Sequence, residues 1–100
     1  MKPKTYTFKA KLWIYPGNTA WHFVTINKVL AKKINDDRME PRGGWGSIPM
    51  TVSVGDTVWD TSIFWSKDGT FLLPIKNEVR KKEGIYADDT VHVTLATRHR

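Results

Sequence analysis

The order of secondary-structure signals is the feature that most constrains how this 100-residue chain can fold, because the same order occurs twice. Strand, strand, helix and strand are predicted in the first half, and the series then repeats. A shift of 49 residues lays FVTINKVLAKKI on LLPIKNEVRKKE, so that Ile26 meets Ile75. Such a match indicates an internal duplication. Two units, about 5–54 and 55–97, each have an apolar face too small to bury alone, so we expect them to close on each other about a pseudo-twofold axis.

Alternating apolar and polar residues predict the strands. In TYTFKAKLWIYP every second residue belongs to one face, as expected of a half-buried strand. WHFVTI, MTVSV, TVWDTSIFW, TFLLP and DTVHVTLAT predict the other strands, and Gly55-Asp56 is a two-residue hairpin signal. The residues expected to point inward include Met50, Val52 and Val54 of one strand and Val91, Val93 and Leu95 of the last.

Two short helices are predicted between the strands. NKVLAKKIND begins with a plausible N-cap, Asn27, and its apolar residues recur at helical spacing. The second helix follows TFLLP, places Ile75 and Val79 toward the core and ends at Gly84. The predicted fold is mostly β with two short helices. We expect one domain, residues 1–100, built as a small β-barrel with a helix covering each open end.

Net charge and cysteine content limit the classes of function. The formal charge is +6, and residues 1–42 account for it with nine Lys or Arg and three acids (9 − 3 = +6). This excess is compatible with binding of a polyanion and equally with simple solubility. The chain has no cysteine, which excludes disulfides, a cysteine nucleophile and thiolate metal sites. With no signal-peptide core and no membrane-spanning stretch, we expect a cytoplasmic protein.

Basic and aromatic residues together suggest a nucleic-acid interface. Lys9, Lys11 and Trp13 share one face of the first strand, and single-stranded nucleic acid is bound by such combinations of stacking rings and cations. Arg80 and Lys81 of the basic second helix are the further candidates. Two simpler interpretations stand beside this one. The basic helix run is explained by helix-dipole and i,i+4 effects on a solvated face, and Trp13 by packing under a loop or a partner subunit.

Tryptophan is unusually frequent, with five in the chain. Trp21, Trp45 and Trp59 are candidates for lining an apolar pocket at the barrel mouth, with Asp60 as a polar group beside them. The alternative is that these rings fill the core. An enzyme built around Asp60 would need a concave pocket there. The three histidines show no metal-ligand spacing, and we predict no catalytic residues, no metal and no cofactor.

Several segments of the chain form a pattern that covers nearly its whole length. They are GWGSIP at 44–49, WDTSIF at 59–64, LLPIKNEVRKKEGI at 72–85 and DDTVHVTL at 88–95, with looser matches in FKAKLW and WHFVTI. In these segments the chain resembles a bacterial family known only as a domain of unknown function, DUF1905. The resemblance implies a double-split β-barrel, or pseudobarrel, capped by helices, and it implies no activity. Two turns depart from the family pattern, at Trp65 and at Ala87-Asp88-Asp89.

Together these features predict a non-catalytic cytoplasmic module with a binding or structural role. A nucleic-acid-binding barrel is the alternative, and an enzyme with a Trp-lined pocket around Asp60 is a third. The fold that the resemblance implies also occurs in DNA-binding regulators, but a shared fold alone does not predict a shared function. The sequence does not identify a partner, and it is compatible with a monomer or a homodimer.

Overall fold

A computed structural model describes residues 4–17, 20–37 and 47–98 of the protein. In this part of the chain all strands belong to one antiparallel sheet, in the order β1-β7-β4-β5-β6-β3-β2. The elements are β1 (Thr5–Lys11), β2 (Trp13–Ile14), β3 (His22–Ile26), α1 (Lys28–Asp37), β4 (Ser47–Val54), β5 (Thr57–Trp65), β6 (Phe71–Pro74), α2 (Asn77–Glu83) and β7 (Thr90–Thr97).

The two outer strands of the sheet are consecutive in the sequence. β1 and β2 lie at opposite ends of the strand order, yet only Leu12 separates them. The sheet therefore has to curl until its outer strands approach each other. The result is a curled, half-barrel antiparallel sheet, which confirms the mainly β fold with two helices.

Leu12 divides what the sequence predicts as one continuous first strand. Its side chain is fully buried. Its N–H donates to the carbonyl of Asp89 at 3.0 Å, and its carbonyl accepts from the N–H of Asp88 at 2.8 Å. The loop before β7 thus takes the backbone bonds of Leu12, after which the chain changes partner from β7 to β3.

The core lies on the concave side of the sheet and is closed by side chains from both helices. The inward residues predicted for the fourth and last strands are all buried, so the predicted alternation is confirmed. Strands from the two predicted halves are interleaved, because β3 pairs with β6 and β4 with β7. Both helices contribute to the same apolar cluster, through Ala31 and Ile34 of α1 and Val79 of α2.

Side-chain hydrogen bonds fix both ends of α1. Asn27 Oδ1 accepts the N–H of Leu30 at 2.9 Å, which confirms the predicted N-cap. At the other end, the Tyr6 hydroxyl donates to Asp37 at 2.8 Å. Burial and the neighbouring Asp37 raise the pKa of Tyr6 above its usual range, and the hydrogen bond from Tyr6 is the main cause that lowers the pKa of Asp37. The C-terminal end of α1 is thereby tied to β1.

Helix α2 ends at Gly84 as predicted, with φ 64 in the left-handed region. Its polar side is less uniformly solvated than the sequence suggests. Lys76, Lys81 and Lys82 are exposed, whereas Arg80 and Glu83 are half-buried. The carboxylate of Glu83 accepts the hydroxyl of Thr57 at 2.6 Å, and so joins the end of α2 to the start of β5.

Candidate binding surface

Four aromatic side chains form a cluster on the outer face of the β2–β3 hairpin. Trp13 lies directly opposite Phe23 in the ladder, and the N–H of Tyr15 donates to the carbonyl of Trp21 at 2.9 Å. Because side chains alternate between faces of a strand, all four project to the same side. We call this surface the aromatic face: Trp13, Tyr15, Trp21 and Phe23.

Phe23 is the centre of the aromatic face. Its ring centroid lies 5.4 Å from that of Trp13, 6.0 Å from that of Tyr15 and 5.8 Å from that of Trp21. Phe23 itself is buried, while Trp21 is 50% and Tyr15 46% exposed. The Trp21 ring stacks on Phe23 with an interplanar angle of 8°. One side of the Trp21 ring is therefore supported by Phe23, and half of its surface is open to a ligand.

Trp13 is held in place by its indole nitrogen. Nε1–H donates to Oγ1 of Thr25 at 2.9 Å, along the same strand face. Lys9 and Lys11 are exposed at the outward positions of β1, leading along the chain toward Trp13. That these lysines act together with Trp13 stays a prediction.

The basic candidates on α2 differ from each other. Lys81 is exposed. Arg80 makes internal bonds: Nε–H donates to the carbonyl of Ile75 at 3.1 Å, and Nη1 lies 3.3 Å from Nε2 of His22. A guanidinium only donates, so in this contact Nε2 of His22 can act only as the acceptor. Arg80 therefore links α2 to β3, and this role leaves less of it for contact with an external anion.

The residues predicted for a Trp-lined pocket lie in different environments. Trp59 is half-buried against the core, and Trp21 belongs to the aromatic face. Asp60 is exposed on the opposite side of β5 from Trp59; Oδ1 accepts the Thr51 hydroxyl at 2.7 Å. Trp45 lies outside the described residues. On the described positions, the structure does not bring Trp59 and Asp60 to a common surface.

A shallow, open cleft lies between β1 and β3. This cleft has a volume of about 660 Å³ and is bordered by β1, β3 and the first turns of α1. We call it the β1–β3 cleft. The residues that line it are Thr7, Phe8, Thr25, Asn27, Lys28, Val29, Leu30, Lys33 and Thr70.

The sequence predictions did not include two residues that organise these surfaces. Phe23 supports the other three rings, and Thr25 fixes Trp13 and lines the β1–β3 cleft. Strand alternation places both on the outward side of β3. The missing information was the pairing of β2 with β3, which brings Trp13 opposite Phe23.

Among the residues that the structure describes, no group of three or more His, Asp or Glu side chains is placed to hold a metal ion. In the same part of the chain, neither helix has the length and apolar character needed to cross a membrane.

Comparison with known proteins gives one family match. The model of the family described as Domain of unknown function (DUF1905) matches residues 8–95. The match covers both helices and every strand, including the short β2. Only the first residues of β1 and the last residues of β7 lie outside it. No curated protein matches the chain.

Proposed function

We propose that this chain, which belongs to the DUF1905 family, is a non-catalytic binding module. Its binding surface is the aromatic face. The description of the family assigns no activity. The observation that carries this proposal is the stacked and half-exposed ring of Trp21. A large ring that is rigidly supported on one side offers contact area to a ligand at little cost in conformational entropy.

The surroundings of the aromatic face favour a ligand that combines planar rings with negative charge. Lys9 and Lys11 are exposed on the approach to Trp13, and the whole chain carries a formal charge of +6. Single-stranded nucleic acid has both properties, and it is our second and more specific candidate. Its phosphates would be attracted by the lysines while a base stacks on the open side of Trp21.

A comparison of two tryptophan variants tests the proposal. Trp21 and Trp65 are exposed to a similar extent, 50% and 42%, but Trp65 packs edge-on against Phe71, outside the aromatic face. We expect Trp21→Ala to weaken binding of a labelled oligothymidylate at least about tenfold, since a stacked base contributes roughly 1–3 kcal/mol. Trp65→Ala is expected to leave the affinity unchanged. Fluorescence anisotropy at low and moderate salt measures both, and affinity should fall steeply as salt rises.

Separate measurements test the nucleic-acid candidate and the broader proposal that the aromatic face binds a ligand. Absence of oligothymidylate binding at low salt would exclude the nucleic-acid candidate. The broader proposal is tested by the indole NMR signals during titrations with mononucleotides, oligothymidylate and an acidic oligosaccharide. If no ligand shifts the signals of Trp13 and Trp21 more than those of Trp59 and Trp65, the aromatic face is not a binding surface.

We further infer that the half-barrel is a double-split barrel made of two pseudo-repeats, about 5–54 and 55–97, within one domain of residues 1–100. The strand pairings support this inference: β2·β3 corresponds to β5·β6, and β1·β7 corresponds to β4·β5. Each of the remaining ladders, β3·β6 and β4·β7, pairs a strand with its own counterpart in the other half. The absence of cysteine supports a cytoplasmic location.

A further inference from the structure

One edge of β1 faces the β1–β3 cleft with backbone groups that are not used in the sheet. The N–H of Thr97 donates to the carbonyl of Lys4 at 3.0 Å, in register with the β1·β7 ladder. Backbone groups of an antiparallel strand point alternately to its two sides. Tyr6 and Phe8 therefore direct theirs to β7. Thr7 and Lys9 direct theirs away from β7, toward the cleft.

The facing edge of β3 has the same property. The N–H of Ile75 donates to the carbonyl of His22 at 2.9 Å, in register with the β3·β6 ladder. By the same alternation, Val24 faces β6, and Thr25 faces the cleft. The β2 ladder covers this edge of β3 only at His22 and Phe23. Of the strands that the structure describes, none pairs with the cleft-facing edge at Thr25, or with that of β1.

Between the two edges the cleft is apolar, and cations lie at its rim. Phe8 and Leu30 are half-buried and line it, and Val29 beside them is 82% exposed. The cations that line the cleft are Lys28 and Lys33. Each of these lysines has an acid nearby. Asp37 lies 3.6 Å from Lys33 and also close to Lys4. Hydrogen bonds from Thr70 lower the pKa of Asp68, and the charge of Lys28 adds to this effect.

The corresponding edge of β6 is closed by its sequence. β6 pairs with β5 only at Phe71 and Leu72. The next residue of β6 whose backbone groups point away from β3 is Pro74. Proline has no N–H, and its presence on an edge prevents the addition of a further strand. Thr25, at the cleft-facing edge of β3, has a backbone N–H. The chain thus blocks one sheet edge and leaves the edge at the apolar cleft able to pair.

We propose that the β1–β3 cleft binds an extended acidic peptide segment of another protein, added as a β-strand. The backbone of the segment pairs with the edges at Thr7, Lys9 and Thr25. An apolar side chain of the segment contacts Phe8 and Leu30, and carboxylates elsewhere on the segment reach the lysines at the rim. The partner is a peptide because only a polypeptide backbone offers donors and acceptors at the spacing of a strand edge.

A labelled peptide of alternating glutamate and valine, about seven residues long, is the probe. We expect it to bind the full-length protein and to shift and protect the backbone amides of Thr7, Lys9 and Thr25 in NMR spectra. The same peptide with N-methylated backbone amides on its pairing side is expected not to bind. Replacing its glutamates by glutamines is expected to weaken binding at least about threefold, because the cations at the rim lose their partners.

Two variants of Thr25 separate the backbone from the side chain. Thr25→Pro removes the cleft-facing N–H and imitates Pro74, and we expect it to lower peptide affinity about tenfold through the lost hydrogen bond and the blocked edge. Thr25→Val removes the hydroxyl that accepts from Trp13 but keeps the N–H, and we expect it to bind the peptide more tightly than Thr25→Pro does. Circular dichroism shows whether each variant is folded.

Several results would overturn the proposal. They are equal binding of the N-methylated peptide, equal binding by Thr25→Pro, and no binding of the probe at millimolar concentration. A response confined to the indole signals of Trp13 and Trp21 would also overturn it, because it would place the peptide on the aromatic face. If Thr25→Pro does not fold, the N-methylated peptide and the amide protection in the unmodified protein still decide the question.

Discussion

Two glycines with positive φ have different surroundings in the folded protein. Gly55, in the β4–β5 turn, has φ 57, and Gly84, at the end of α2, has φ 64. A Cβ atom added at Gly84 meets nothing within 4 Å. At Gly55 it would overlap the carboxylate of Glu83, which is held there by the hydroxyl of Thr57. The turn therefore needs glycine for its backbone conformation, and a Cβ atom there would displace the carboxylate end of the Glu83 side chain.

We predict that Gly55→Ala destabilises the protein more than Gly84→Ala. The left-handed backbone costs roughly 1–2 kcal/mol for alanine at either position. Gly55→Ala additionally displaces Glu83 and breaks its bond to Thr57. Urea unfolding measures both free energies. In a Glu83→Ala background the two substitutions should become similar, and equal losses in the unmodified background would contradict the overlap with Glu83.

Residue-level signals in the sequence are reliable where they are local. The N-cap at Asn27 and the helix end at Gly84 depend on neighbours within a few residues, and both predictions are confirmed. The contact of His22 with Arg80 joins residues 58 apart in the chain. It exists only because α2 docks against β3, so no local pattern predicts it. The same holds for Phe23 as the centre of the aromatic face.

At the scale of elements, α1 is held to β1 by one buried hydroxyl and one carboxylate. Asp37 accepts from Tyr6 at 2.8 Å and also lies near Lys33 and Lys4, at 3.6 and 3.5 Å. The hydrogen bond from Tyr6 is the largest cause that lowers the pKa of Asp37; burial opposes it, and the charges of Lys33 and Lys4 lower the pKa further. This link makes the docking of α1 dependent on pH.

The sign of that dependence follows from the lowered pKa. An aspartate in the unfolded chain has a pKa of about 3.9. Just below that pH the unfolded chain binds more protons than the folded protein, in which the pKa of Asp37 is lower. Stability from Asp37 is therefore complete above that pH and is lost as the pH falls through the folded pKa. We predict that Tyr6→Phe costs about 1 kcal/mol at pH 7 and that its difference from the unmodified protein shrinks near pH 2.5.

Urea unfolding at the two pH values measures this effect. Asp36→Asn is the matched control, because Asp36 pairs with Lys32 on an exposed part of the same helix, at 2.7 Å. That substitution is expected to change stability little at either pH. A loss for Tyr6→Phe that is the same at pH 7 and pH 2.5 would show that the charge of Asp37 does not contribute.

A strand or helix could be predicted from the sequence where its own residues show the alternation or the helical spacing of apolar side chains. The alternation of burial is complete in β4, and in β7 it holds from Thr90 to Ala96. The division of the first strand was not predictable. It arises because the loop at Asp88 and Asp89, distant in the sequence, takes the hydrogen bonds of Leu12. The β1–β3 cleft is a consequence of that division, and so it too was absent from the sequence predictions.

At the scale of the whole molecule, the curled sheet depends on the single residue between its outer strands. Leu12 is fully buried in the core, and its backbone is bonded to the loop before β7. On one side of it the chain pairs with β7, and on the other side with β3. Any loss of packing at Leu12 therefore acts on both outer strands together, although they belong to opposite ends of the strand order.

We predict that Leu12→Ala destabilises the whole protein by about 2–5 kcal/mol, as a buried leucine does when it leaves a cavity. Ile14→Ala, only two residues away but 40% exposed, is expected to cost about 1 kcal/mol or less. Because the two predicted halves share one core, far-UV circular dichroism and tryptophan fluorescence should report the same urea midpoint in both variants. Two separate transitions in Leu12→Ala would mean that the outer strands detach from a sheet that remains folded without them.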